Sequence, residues 1–207
     1  RYDADTRAGE LYAGSDQVDL GASLRGQSWQ GASLQGGKGR VELWADWQEQ
    51  RVTRALMRVD LAGLALRSAD PALTQLAGFG AIDRLQGVAR WQRSADGWSL
   101  DLAELRVQRG AERGQPSAAG VVLHRDDAGA RRYELRVEQF DLAAAARLAE
   151  LAEPLSPGLR RWLFQAAPHG SLRGVVATFG RGADFSIDGD LVDVGMESVA
   201  RAPGIDR

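Results

Sequence analysis

Val59-Asp60-Leu61-Ala62-Gly63-Leu64-Ala65-Leu66 and Leu100-Asp101-Leu102-Ala103-Glu104-Leu105-Arg106-Val107 are nearly the same phrase written twice. Each begins with apolar residues at every second position, the period of a strand with one buried face. The parity then changes: Val59 and Leu61 are odd, Leu64 and Leu66 even, whereas Trp98, Leu100 and Leu102 are even and Leu105 and Val107 odd. A strand that keeps one apolar face through such a step must bend or carry a bulge, which Gly63 tolerates. Tyr133, Leu135 and Val137 followed by Phe140 and Leu142 repeat the step a third time. Bent strands of this kind, repeated along a chain, build a curled sheet rather than a flat one.

The flanking residues make each phrase the return arm of a hairpin. Leu85–Trp91 turns through Ser94-Ala95-Asp96-Gly97, where Asp96-Gly97 is expected to supply a positive-φ position. Val41–Trp47 turns through Gln48-Glu49-Gln50 into the first phrase. Ala118–Leu123 is expected to pair with Arg131–Val137, and Ser171–Phe179 with Phe185–Val194. The alternation stops between 141 and 167. There Asp141 is an N-cap for a helix carrying Leu142, Ala145, Leu148, Ala149 and Leu151, which Pro154 ends. Ser156-Pro157 starts a second helix with Leu159, Trp162, Leu163 and Ala166 as its stripe, closed by Pro168-His169-Gly170. One further helical turn is expected within Asp70–Phe79. The predicted fold is mainly β: a curled antiparallel sheet, an open groove or half-barrel of successive hairpins, with two short amphipathic helices at about 141–167. The 207 residues read as one segment, 1–207, of a longer protein, since the chain starts at Arg1 without Met and stops at Arg207.

Composition narrows the function. Twenty-six basic against 28 acidic residues, with no run of five or more like charges, supply no clustered Lys and Arg for phosphate contacts, so nucleic acid is not an expected partner. The absence of cysteine removes disulfides, thiolate chemistry and Cys-ligated zinc. No stretch approaches the 18 or so apolar residues of a membrane span, and no signal-peptide pattern opens the chain.

Catalytic equipment is thin, and the chain is not expected to be an enzyme. His124 and His169, the only histidines, each adjoin a turn. Asp184–Asp193 is acidic but lacks the ligand order of a calcium loop, so no metal site is assigned and the segment reads as a strand with solvated carboxylates. Gly36-Gly37-Lys38-Gly39-Arg40 has Ala32 and Gly39 where a phosphate loop needs Gly and Ser or Thr, and reads as a flexible lead-in to the Val41 strand. No Gly-x-Ser-x-Gly elbow activates a serine. Trp44, Trp47, Trp91 and Trp98 fall in hairpins, where aromatics pair across strands or, alternatively, stack on sugars.

The succession of Val41-Glu42-Leu43-Trp44-Ala45-Asp46-Trp47, the hairpin Gly87–Leu102, the helical pair ending Ala167-Pro168-His169-Gly170-Ser171-Leu172 and the closing Ala202-Pro203-Gly204-Ile205 resembles the YhdP family of the AsmA-like superfamily, from about residue 8 onward. The resemblance implies a long Gram-negative envelope protein, tethered to the inner membrane by a segment outside these residues and crossing the periplasm. It further implies a bridge-like β-groove that carries phospholipid toward the outer membrane, with no catalytic residues and no cofactor. Candidate groove-lining residues are Val59, Leu61, Leu64, Leu66, Trp98, Leu100, Leu102, Leu105, Val107, Leu135 and Val137. Leu148, Leu151, Leu159, Trp162 and Leu163 are candidates for a lid or plug. At about 0.8 kcal/mol per methylene, sheltering a 16-carbon chain is worth roughly 12 kcal/mol, which a dry trough can supply without charged contacts. Two rivals stay open: a structural β-scaffold or docking module of the envelope with a self-filled core, and a glycan-binding sandwich that uses the tryptophans.

Overall fold

The computed structural model describes residues 2–3, 7–24, 28–29, 32–68, 71–76, 79–110, 112–113, 115–125, 129, 131–150, 156–179 and 185–199. The strands are β1 (Tyr2–Asp3), β2 (Ala8–Asp19), β3 (Ser28–Trp29), β4 (Ala32–Gln48), β5 (Arg51–Ser68), β6 (Ala81–Arg93), β7 (Gly97–Arg109), β8 (Glu112–Arg113), β9 (Ser117–Arg125), β10 (Arg131–Asp141), β11 (His169–Phe179) and β12 (Phe185–Gly195). All belong to one antiparallel sheet in the order β1-β2-β4-β5-β6-β7-β9-β10-β11-β12, with β3 beside β4 and β8 beside β7. Apart from those two-residue pieces, each strand pairs with the next in the chain. The topology is a pure meander, and the sheet does not close into a barrel. All four hairpins expected from the alternation form. The connections at 126–128 and 180–184 lie outside the described residues.

The parity changes have physical counterparts. In β5, Gly63 is left-handed, with φ of 63°. Its neighbours keep one register against β6, Ala62 with Arg84 and Leu64 with Ile82. Asp83 and Arg84 are both exposed, as are Ala62 and Gly63, so the two strands change parity together. In β7 the device is a bulge: Gln86 pairs with Arg106 and Val88 with Ala103, leaving Glu104 and Leu105 opposite Gly87. Glu104 has φ of 53°, the left-handed residue that such a bulge requires. In β10 the extra residue is Glu138, between Val137 opposite Ala119 and Gln139 opposite Ala118.

Two expectations about turns need correction. Gly97 is not among the residues with positive φ. It opens β7 against His124 of β9, where a Cβ would collide with the Leu123 carbonyl, so close strand approach is what demands glycine there. The segment Gly36–Arg40 is not a lead-in but part of β4, paired with β5 through irregular register at Gly36.

Helix α1 (Leu20–Ser23) is a single turn capped by Asp19, whose carboxylate accepts from Ala22 N at 2.9 Å. The expected turn within 70–79 is α2 (Pro71–Thr74). Helix α3 (Leu142–Glu150) begins at Asp141, whose Oδ1 accepts from Ala143 N and Ala144 N at 2.8 and 3.2 Å. Helix α4 (Pro157–Ala166) begins at Ser156, whose Oγ accepts from Leu159 N at 3.3 Å, and ends at Ala167 in the left-handed conformation. Helix α3 lies on the sheet: Ala144 is buried in one cluster with Leu61, Leu64, Ile82, Leu105 and Val107, and Leu148 packs against it. Helix α4 packs on α3 and is pinned by Phe164, 5.5 Å from Phe79. The main core therefore sits under α3, on one side of the line of bends.

Candidate functional site

Cross-strand partners point to the same face of a sheet, so the pairing register sorts every side chain. One row runs Leu11, Ala45, Ala55, Trp91, Leu100, Val121, Leu135, Ala177, Ile187, one residue from each successive strand from β2 to β12. Every member is apolar. The adjacent row on that face runs Ala13, Leu43, Met57, Ala89, Leu102, Ala119, Val137, Val175. A third joins Trp98, Leu123, Tyr133 and Phe179. At about 4.8 Å per strand, the nine-residue row extends roughly 38 Å along the hydrogen-bonding direction.

The opposite face is different in kind. Its matching row is Tyr12, Trp44, Leu56, Arg90, Asp101, Gly120, Arg136, Val176, Asp188, and the next is Glu10, Asp46, Arg54, Gln92, Ser99, Val122, Glu134, Thr178, Ser186. The Asp60 carboxylate on this face takes Arg84 Nε and Nη2, both at 2.9 Å, and Gln86 Nε2 at 3.0 Å. The Arg84 hydrogen bond, assisted by that from Gln86 and opposed by desolvation, holds the Asp60 carboxyl below the ordinary aspartate range. A cavity of about 520 Å³ over the β7 bulge is charge-balanced, with Arg40, Arg58 and Arg106 set against Glu42, Asp60 and Glu104.

Burial divides the apolar face into a closed and an open part. Leu61, Leu64, Leu105 and Val107 are buried in the cluster beneath α3, with Val59 and Leu102 packed against it. Val137 is buried as well. Trp98, Leu100 and Leu135 are half-buried, as are Trp91 and Val121 in the same rows. Leu11 is 45% exposed, Met57 41% and Ile187 67%, so the face is open to solvent away from α3. The Leu66 side chain and all of Leu151 lie outside the described residues. Among the other helix candidates, Leu148, Trp162 and Leu163 are partly buried, whereas Leu159 is 42% exposed. Ala166, the last member of the expected stripe, is fully buried, so Leu159 alone departs from it, while helix α4 also buries Arg160 and contacts Phe79 through Phe164.

Sequence reasoning missed Trp91, Val121, Ala177 and Leu11 because its lining came from the return arms alone. The signal was the register: once Leu100 pairs with Trp91, parity extends the row across the sheet. The chemistry-bearing candidates stay apart. His124 meets Asp96 at 3.3 Å at an exposed hairpin tip, and Ser94 Oγ, followed by His124, lowers the Asp96 pKa. His169 is exposed at the start of β11. Asp188 and Asp190 are exposed along β12. Trp44 sits on the polar face, with Tyr12 5.1 Å from one side and the Arg58 guanidinium 5.5 Å from its ring. Among the described residues no group of three His, Cys, Asp or Glu is placed to hold a metal, and no helix is long and apolar enough to cross a membrane.

An open-edged antiparallel meander with one continuous apolar face and one charged face defines the class of protein. Its particular family follows from the whole chain: residues 1–207 match the family model described as YhdP protein, and the chain belongs to the YhdP family. YhdP is not known as an enzyme family. No curated protein and no solved structure matches the chain.

Proposed function

We propose that this chain is a groove segment of an inner-membrane-tethered periplasmic protein and shelters phospholipid acyl chains during transport between the inner and outer membranes. The observation that carries the reading is the nine-residue apolar row from Leu11 to Ile187, unbroken by a polar residue while the opposite row carries Arg90, Asp101, Arg136 and Asp188. A self-contained sheet has no need of half-exposed Trp91, Leu100 and Val121 in one line, since exposed contiguous apolar surface marks a binding face. Family membership favours the same role. The part of the face beneath α3 is filled by its own side chains and forms the closed end of the trough. AsmA-like architecture, with further groove segments in the full-length protein, belongs to this proposal.

The scaffold alternative has one observation in its favour, the self-filled cluster around Ala144. Photo-crosslinking residues at Leu100 and Val121 separate the two readings when paired with controls at Arg90 and Asp101 on the opposite face. Phospholipid adducts at the first pair alone are expected. Equal labelling of both faces, or none at Leu100 in folded protein isolated from the envelope, overturns the proposal. In the full-length protein, Leu100→Asp, on the half-exposed part of the row away from the cluster, is expected to abolish transport while the fold persists.

A further inference from the structure

On the charged face of the sheet, Tyr12 lies flat along β2. Position 14 shares its face and is glycine; a Cβ there would sit 2.5 Å from the Tyr12 hydroxyl oxygen and 3.0 Å from its ring carbon Cζ. Gly14 thus makes room for the ring to lie down on the strand rather than stand off it. The residue stays 59% exposed, and Trp44, directly across on β4, flanks it with ring centroids 5.1 Å apart. Of the four hairpin tryptophans Trp44 alone is on this face: Trp91 and Trp98 belong to apolar rows, and Trp47 shares the parity of Leu43 and Ala45.

Lying over Gly14, the Tyr12 ring reaches toward the cavity above the β7 bulge. Gly14 pairs with Glu42 and Glu42 with Arg58, and both of these side chains line that cavity of about 520 Å³. Glu42 and Arg58 do not close the ion pair that their register invites; the Arg58 guanidinium lies over Trp44 instead, 5.5 Å from the ring centroid. Farther along the wall, Arg40 is held by Asp16 at 2.6 Å, and Asp60 by Arg84 and Gln86. The side chains of Glu42, Glu104 and Arg106 have no hydrogen bond or ion pair among the described residues. Glu104 occupies the left-handed position of the bulge, opposite Gly87. Open acceptors and an open donor therefore share the cavity with carboxylates and guanidiniums already fixed.

A charge-balanced wall offers an ion no net attraction, because each opposite charge has a like charge beside it. It suits a neutral ligand rich in hydroxyls, since each hydroxyl donates to a carboxylate and accepts from a guanidinium. The electron-rich face of a flat aromatic ring attracts C–H bonds. A pyranose with equatorial hydroxyls meets both demands: its axial C–H bonds rest on the ring while its hydroxyls radiate sideways to polar walls. From β2 to β7 the surface spans about 19 Å at ~4.8 Å per strand, a length for an oligosaccharide rather than a single sugar. We infer that this face binds a neutral oligosaccharide, one pyranose stacked on Tyr12 and the following rings held in the cavity by Glu42, Arg58, Glu104 and Arg106. The site lies across the sheet from the apolar rows and stands independently of the trough reading.

The test uses the 207-residue chain with four probes: cellotetraose and N-acetylated chitotetraose, both equatorial pyranose chains; sorbitol, a polyol without a ring face; and tetragalacturonate, an acidic oligosaccharide. Backbone amide shifts of Gly14, Gly87 and Arg106 report occupancy. Saturable shifts are expected with at least one neutral tetrasaccharide and not with sorbitol. Tyr12→Leu is expected to weaken binding at least tenfold, whereas Tyr12→Phe, which keeps the ring, changes it less than threefold. Glu104→Gln/Arg106→Gln, at two exposed positions, is expected to cost at least fivefold, and circular dichroism establishes that each variant is folded. This double variant carries the test alone if Tyr12→Leu fails to fold. Absence of saturable shifts with both neutral tetrasaccharides, equal binding of sorbitol, preference for tetragalacturonate, or undiminished affinity in a folded Tyr12→Leu or double variant overturns the inference. Saccharide binding that persists when Leu100 captures no phospholipid upholds the site and removes the trough reading instead.

Discussion

Left-handed residues carry the bends, and their chemistry predicts the sign of substitution. A Cβ added to Gly63 meets no atom within 4 Å, so Gly63→Ala introduces backbone strain without collision. The expected cost is about 1 kcal/mol, read as a lower urea midpoint at constant slope. Glu104 presents the reverse case, a side chain at φ of 53°, and Glu104→Gly is expected to raise stability by roughly 0.5–1 kcal/mol. The parity changes were legible in sequence, and Gly63 marked one of them. Glu104 could not be singled out, because a glutamate gives no sign of left-handed backbone; nor could Glu49 and Gln50, which both turn with positive φ. Asp60 supplies a pH dependence. Its folded pKa is lowered, so its stabilising contribution is complete above the unfolded value of about 3.9 and disappears as pH falls through the folded value. Arg84→Gln should therefore lower the melting temperature slightly at pH 6, with the difference from the parent vanishing as the pH is taken below the folded pKa. A difference that persists in acid would assign Arg84 a packing role instead.

Among the elements, α3 is the one whose loss changes the apolar face. Asp141 both caps α3 and ties its own backbone N–H to Ser117 Oγ at 3.0 Å, and Ser117 is buried. Asp141→Ala removes the cap at an expected cost of about 1 kcal/mol and lets the helix lift from Leu105 and Val107. Faster amide exchange in α3 than in β7, with increased binding of an apolar dye, checks this; a uniform rise in exchange would show that α3 unfolds only with the sheet. The cap was legible because Asp precedes an Ala- and Leu-rich run. Strand β2 was not, since Leu11-Tyr12-Ala13-Gly14-Ser15 has only two apolar residues on its inward parity and borrows its order from ten bridges to β4. The glycine cluster 36–39 misled for a related reason: local flexibility is overridden when both neighbours supply a ladder. In α4 the stripe is packed except at Leu159, and the added contact of Phe164 could not be read locally because its partner Phe79 lies far away in sequence.

At the scale of the molecule, alternation established that one face is apolar, while the meander order turned that face into a continuous strip. The same geometry leaves a difficulty at the margins. Strand β12 has β11 on one side and no further strand on the other among the described residues, and it displays Ile187 and Leu191, 67% and 70% exposed. Open backbone donors beside apolar side chains form a template for another strand, and soluble proteins suppress it with lysine or proline. Asp188 and Asp190 alternate with the apolar pair but point to the charged face, so repulsion acts on only one side of the edge. The 207-residue chain is therefore expected to self-associate with rising concentration. Ile187→Lys places a charge at the end of the nine-residue row, on the face through which a second copy would continue it. Sedimentation velocity should show the parent shifting to larger species across the micromolar range and the variant remaining monomeric, with equal melting temperatures because Ile187 buries little. If both sediment alike, the β12 edge is shielded by means other than charge, and continuation of the apolar strip beyond Ile187 loses its support.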